Sequence, residues 1–189
     1  MNKLGLLAVL VSGMLSAQMK KVNKYDIQWW GYKIAKTEAS SHYGTLNLKN
    51  GEIEVKRGKL TGGSFILDMN SINSTDLQGK AKESLDGHLK NGDFFEVEKY
   101  PTAAYKITSV SSGSKKKGFN STVNGQLTLK GKTANVSFPA NITVDKNGVS
   151  LVSDKFSFDR QIFGVAYKAT IKDVVIKDEI DLVVKIFAK

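Results

Sequence analysis

Two histidines, His42 and His88, are the only imidazoles in a chain of 189 residues that contains no cysteine. Together with the acids Asp93 and Glu96 they are the side chains that could ligate a metal, and either imidazole could act as a general base near neutral pH. Their spacing is not that of a local metal motif such as H-E-x-x-H, so only the fold could assemble them. A lone histidine near a strand or helix end commonly has a structural role, hydrogen-bonded by one ring nitrogen. The missing cysteines exclude disulfides, zinc–thiolate sites, iron–sulfur clusters and thiol nucleophiles. No nucleophile elbow, phosphate-binding loop or dinucleotide fingerprint occurs either. The residues alone therefore supply no catalytic constellation and no metal site.

Charge gives a surface property rather than a reaction. Lys and Arg number 28 against 18 Asp and Glu, a formal net charge of +10. The run Lys115-Lys116-Lys117 between glycines reads as a solvated loop tip, not a nucleic-acid patch. The opening residues contain Lys3, an apolar stretch from Leu4 to Leu15, and small residues ending in Ala17. This is the pattern of a secretory signal peptide over 1–17, too short to span a membrane. Its removal would leave a domain at 18–189 with 27 basic and 18 acidic residues, or +9. With no cysteine after the apolar run, lipid anchoring is excluded. An exported, periplasmic or secreted, soluble protein follows as the expectation, with weak attraction to anionic envelope surfaces.

The elements that would position any site are strands. Period-2 alternation of apolar and polar residues runs through 27–34, 43–49, 52–57, 63–70, 102–110, 119–130, 133–144 and 149–158. At the C-terminus Ile180, Leu182, Val184 and Ile186 share one face and Asp181, Val183, Lys185 and Phe187 the other. Asn50-Gly51 and Asn147-Gly148 predict type I′ hairpin turns. Asn124-Gly125 does not, because Val123, Gly125, Leu127 and Leu129 stay in phase across it; the glycine there marks a bulge or a close packing contact. One segment has helical spacing, Leu77, Ala81, Leu85 and Leu89, with Ser74, Thr75 or Asp76 as N-cap candidates and Asn91-Gly92 as its stop. With only 2 prolines, eight or nine long strands favour a closed all-β, antiparallel up-and-down barrel of about eight strands, a sandwich being the alternative. Such a barrel is either filled by its own side chains or holds one slender ligand. Periodicity does not separate the two, because a lumen and a solid core both show one apolar face per strand.

Several patterns together resemble the YceI-like family of exported lipid-binding proteins. They are Trp29-x-Gly31-x-Lys33, His42-Tyr43-Gly44, Gly62-Gly63 through Ile72, and above all His88 to Ala103 with its Asp93-Phe94-Phe95 and Tyr100-Pro101 pieces. Val123-x-Gly125-x-Leu127-Thr128-Leu129-x-Gly131-x-Thr133 and Phe158-Asp159-Arg160-x-x-Phe163-Gly164-Val165 extend the match over nearly the whole chain. The proline usual after the threonine is absent at Ala134. The resemblance implies an extended lipocalin-like barrel, one α-helix near its mouth, and a lumen that holds a long isoprenoid chain of polyprenyl or quinone type. On that reading Trp29, Phe65, Leu85, Leu89, Phe94, Tyr105 and Phe163 are lining candidates, and His42 and Arg160 are candidates for the polar head. Arg160 could equally be a buried ion-pair partner of Asp68 or Asp159. No catalytic residue, metal or further cofactor is expected. The rivals are an enzyme on the same barrel with His42 or His88 as base, and a ligand-free stress or adhesion factor acting through its charge. Oligomeric state, a homodimer included, stays open.

Overall fold

The computed structural model describes residues 16–35, 39–169 and 173–189. The expected signal peptide, 1–17, falls almost wholly outside them. The described chain forms β1 (Gln18–Ala35), β2 (Ala39–Lys56), β3 (Lys59–Ser74), α1 (Gly79–Lys90), β4 (Thr102–Ser112), β5 (Ser121–Leu129), β6 (Lys132–Asp145), β7 (Gly148–Ser153), β8 (Phe156–Asp159), a 3₁₀ turn (Arg160–Phe163), β9 (Val174–Ile176) and β10 (Glu179–Ala188).

β1 to β7 follow one another as antiparallel neighbours, and β10 pairs with both β7 and β1, so the sheet closes. Closure gives an antiparallel barrel of eight strand positions with a single α-helix among the described residues, and only the short β8 and β9 are paired on one side alone. Two of the eight positions are interrupted. β7 and β8 lie in succession along β10, with Lys185 opposite Val152 and Asp181 opposite Ser157. β9 and β10 lie in succession along β1, with Ile34 opposite Val175 and Trp30 opposite Asp181.

The turns correct the expected hairpins. The chain runs straight through Asn50-Gly51, because residues 43–56 belong to one strand, β2, with a bulge between Leu48 and Asn50. Gly51 is there for packing: a Cβ on it would lie 2.8 Å from Leu48 Cδ2 and Val22 Cγ2. The type I′ turns are instead Arg57-Gly58 and Lys130-Gly131, all four residues with positive φ. At the β6–β7 hairpin the central residues are Lys146-Asn147, with Asp145 Oδ1 accepting from the amides of Asn147 and Gly148 at 2.7 and 3.2 Å. Gly125, by contrast, sits in a continuous β5 as expected, with the Tyr105 ring lying against it.

The helix begins later than its capping residues suggested. Gln78 occupies the N-cap without a side-chain cap bond. Ser74 instead donates, through its backbone N and its Oγ, to Asp86 Oδ1 at 2.8 and 2.7 Å. Lys82 Nζ bonds the other Asp86 oxygen and Asn73 Oδ1, so one acid on α1 is tied to the end of β3. Burial pushes the Asp86 carboxyl upward, but the hydrogen bonds from Lys82 and Ser74 outweigh it and hold the group below the usual carboxylate range. Lys115-Lys116-Lys117 lies in the loop between β4 and β5, with Lys116 paired to Asp154. No helix among the described residues is long and apolar enough to cross a membrane.

Candidate functional site

The inward face of the barrel is apolar from end to end, but it is not solid. Two cavities of about 90 and 60 Å³ lie along its length. Leu67, Leu127 and Leu182 line both, so the two spaces adjoin at one level of the barrel. The C-terminal strand shows why its alternation reads so cleanly. Ile180 and Leu182 line the first cavity, and Leu182, Val184 and Ile186 line the second. The opposite face turns outward: Asp181 accepts from Tyr32 and Ser157, and Lys185 pairs with Asp26 at 3.0 Å.

The smaller cavity is walled by strands alone. Phe65, Tyr105, Phe138 and Phe156 furnish its aromatic surface, with Phe138 and Phe156 stacked at 4.3 Å between ring centroids. Tyr105 keeps its hydroxyl out of trouble by donating to the Val136 carbonyl at 2.9 Å. Burial then pushes the phenol far above its ordinary pKa, so it stays a neutral wall residue. Each cavity exceeds the roughly 10–15 Å³ one water needs, but offers it few polar partners, and apolar cavities of this kind stay dry.

The larger cavity lies at the helical end and has a composite wall. Trp29, Leu46, Met69 and Ile180 come from strands, Leu89 from α1, Phe94 and Phe95 from the turns after it, and Arg160 and Lys177 from the segment joining β8 to β10. The turn carrying the two phenylalanines is pinned by Lys130, whose Nζ donates to the Phe94 and Gly92 carbonyls at 2.8 and 3.1 Å. Trp29 is 7% exposed, and its indole Nε1 is the one buried side-chain polar atom among the described residues that lacks a hydrogen-bond partner.

Arg160 is 2% exposed, and the structure places its ion pair with Asp178 at 3.0 Å, not with Asp68 or Asp159. Asp159 instead caps the 3₁₀ turn through the Gln161 amide, and Asp68 accepts from the Asn70 amide. The guanidinium fills the break between β9 and β10. Nε donates to the Lys177 carbonyl at 3.1 Å, Nη1 to Val165 at 2.5 Å, and Nη2 to Tyr167 at 2.9 Å. A second approach, Nη2 to Ile176, is 3.4 Å. The side chain thus holds 165–167 against 176–178, and most of its donor capacity is committed to backbone.

The remaining candidates scatter. Leu85 is half-buried and packs against the core around the larger cavity without lining it. Phe163 is buried and meets Phe158 edge-on at 5.6 Å, one layer behind the wall. His42 belongs to β2 and its Nδ1 lies 2.7 Å from Asp76 Oδ2, while Asp76 Oδ1 accepts from the Tyr43 amide; it is not among the residues lining the lumen. His88 is wedged edge-on between Phe94 and Tyr167 at 4.9 and 4.6 Å, with Asp93 3.9 Å away. The two histidines therefore bind different acids, and among the described residues no three His, Asp or Glu side chains come together to hold a metal ion. Met69, Ile72, Phe95 and Leu182 also line the larger cavity: Met69 and Leu182 keep the parity of their strands and Phe95 follows the helix stop, whereas Ile72 is out of phase with Met69 because the pairing of β3 with β2 shifts between Asp68 and Asn73.

This geometry has counterparts of known structure. Burkholderia cenocepacia BcnA superposes with a TM-score of 0.66 at 15% identity, covering 87% of this chain and 96% of its own. A polyisoprenoid-binding domain from Saccharophagus degradans, implicated in plant cell wall breakdown, gives 0.57 at 11% identity, covering 90% and 97%. At these identities the likeness establishes the fold. In sequence, Protein YceI of Escherichia coli O17:K52:H18 is 31% identical over 123 residues, which is 61% of this chain and 59% of that relative. The YceI-like domain model matches residues 21–188, and the chain belongs to that family.

Proposed function

We propose that the protein is an exported, non-enzymatic carrier or store that sequesters one long isoprenoid chain along the barrel axis. The supporting observation is the pair of adjoining apolar cavities sharing Leu67, Leu127 and Leu182, a path matched to a slender hydrocarbon rather than to a compact polar substrate. Burying about 300 Å² of such a chain contributes roughly 7 kcal/mol before association costs, so tight binding needs few polar anchors. The polyisoprenoid-binding neighbour from Saccharophagus degradans has the same fold and supports the same class of ligand. Export rests on the apolar N-terminal segment, and the net positive charge favours an anionic envelope as the place of exchange.

Organic extraction of protein purified from its native host, followed by mass spectrometry, should recover a polyprenyl or isoprenoid-quinone species in near-stoichiometric amount. Failure to recover any lipid, together with failure to take up added isoprenoids from detergent, overturns the reading.

A further inference from the structure

The outer wall beside the helical end carries apolar side chains that the barrel itself does not need. Along β1, Trp29 and Gly31 line the larger cavity, so Trp30, Tyr32 and Ile34 take the alternate, outward parity. The register sets Tyr43 of β2 opposite Trp30 and Val175 of β9 opposite Ile34, which places all five on one continuous surface. Ile34, Tyr43 and Val175 are 40, 44 and 60% exposed. Single apolar residues on a surface are ordinary, whereas a contiguous patch marks a place of contact. Tyr32 and Lys177 also border the larger cavity, so this face adjoins the helical end of the lumen.

Lysines frame the rings. Lys155 Nζ lies 3.8 Å from the Trp30 ring centroid and Lys177 Nζ 5.6 Å from that of Tyr32, and Lys33 is exposed at the same end. The acid among them, Asp181, is engaged by Tyr32, Ser157 and Lys155. Glu179 and Asp159, opposite each other on β10 and β8, bound the face on its far side. Indole and phenol rings beside aliphatic side chains, with a fringe of lysines, settle at the headgroup level of a bilayer, where the rings meet acyl chains and the ammonium groups meet phosphates. The net charge of +10 acts in the same direction. A convex barrel wall offers a peptide no groove, and a second copy would set the same lysines against one another.

We propose that this outward face of β1, β2 and β9 docks the protein on an anionic phospholipid bilayer and so holds the helical end of the barrel at the membrane surface. The docking extends the carrier reading above, but it needs no ligand in the lumen.

Vesicles of phosphatidylcholine containing about 30% phosphatidylglycerol and no isoprenoid test it, and the protein should co-sediment with them several-fold better than with phosphatidylcholine alone. Val175→Asp should weaken vesicle binding about tenfold, whereas Val152→Asp, the same charge change at an exposed valine of β7, should leave it within about twofold. Both positions are on the surface, and urea midpoints check that both variants fold. The two tryptophans report on opposite sides of β1, Trp29 facing the lumen and Trp30 the outside. Brominated phospholipids in the vesicles should therefore quench the unmodified protein and Trp29→Phe, and lose most of their effect on Trp30→Phe. Absence of vesicle binding, equal losses in the two aspartate variants, or quenching that survives Trp30→Phe overturns the docking face. Self-association abolished by Val175→Asp, without vesicle binding, assigns the face to a second copy and overturns it as well. None of these outcomes touches the carrier reading, which stands or falls on the lipid recovered by extraction.

Discussion

The two ends of the lumen are built differently. The strand-walled end closes on itself: Ile53, Val123, Val149 and Ala188 have no exposed surface there, and its wall is made of antiparallel strands alone. The helical end is closed by pieces that are not strands, namely α1, the turns bearing Phe94 and Phe95, and the segment between β8 and β10. Barrel pairing secures the first end, whereas side chains such as Lys130, Asp86 and Arg160 secure the second. A wall held by a few side-chain anchors opens at lower free energy than one held by a ladder of hydrogen bonds. On the carrier role proposed above, the helical end is the one through which a chain enters and leaves, and the strand-walled end is the blind one.

If the contrast is right, its sharpest test is Arg160→Met. Removing the guanidinium leaves carbonyls of Val165, Tyr167 and Lys177 without their donor and breaks the pair with Asp178. Urea unfolding should show a loss of about 3 kcal/mol, and hydrogen exchange should rise most in 160–178. A uniform rise over β5 and β6 as well would mean that the two ends are not separately secured. The next effect is on ligand length. Leu127→Trp places an indole where the cavities adjoin, so a chain of about eight isoprene units should bind more than tenfold more weakly, while a two-unit chain confined to the helical end should bind nearly as before. Equal loss for both lengths would show that the cavities do not act in series.

The strand-walled end was legible in the sequence to a degree that the helical end was not. Its strands follow alternation, and the face of Ile180, Leu182, Val184 and Ile186 lines the lumen in chain order. Where the reading slipped, a local rule met a tertiary constraint. Asn50-Gly51 has turn chemistry, but Gly51 stays paired with Phe65 inside β2, where its missing side chain leaves room for Leu48 and Val22. Arg57-Gly58 and Lys130-Gly131 make the type I′ turns although Arg and Lys are poor first residues for positive φ, because closing β2 onto β3 and β5 onto β6 overrides the preference. At the helical end the relevant pairs are far apart in sequence: Arg160 with Asp178 across the β9–β10 break, His42 with Asp76, Ser74 with Asp86. Ser74 and Asp76 carry the residue types of an N-cap, and no periodicity shows that their oxygens are committed elsewhere. The Phe94-Phe95 pair was visible only through family resemblance, and the unpartnered Trp29 N–H only through the fold.

Two acid–base predictions, smaller than those above, separate the anchors of the helical end. Asp86 is held below its ordinary carboxylate pKa by Lys82 and Ser74, against the opposing effect of burial. Its contribution to stability is therefore present above the unfolded value of 3.8 and is lost as pH falls through the lowered folded value. Asp86→Asn should cost about 1 kcal/mol at neutral pH and flatten that acid limb, with the loss of exchange protection centred on α1.

Tyr32 works in the opposite direction and gives the smallest effect. Burial first, then the hydrogen bond to Asp181 and its negative charge, push the phenol up to about 12. A raised folded value means that the stability is fully present below the ordinary tyrosine value of 10.0 and is lost as pH rises from there through about 12. Tyr32→Phe should cost under about 1 kcal/mol at neutral pH, since the hydrogen bond joins neighbouring barrel strands already paired through Trp30 and Asp181. It should also flatten the alkaline limb in that window and leave the acid limb of Asp86 unchanged. A Tyr32→Phe variant that instead lost as much stability as Arg160→Met would place a principal anchor on the barrel wall itself, and the distinction between a strand-secured end and a side-chain-secured end would no longer hold.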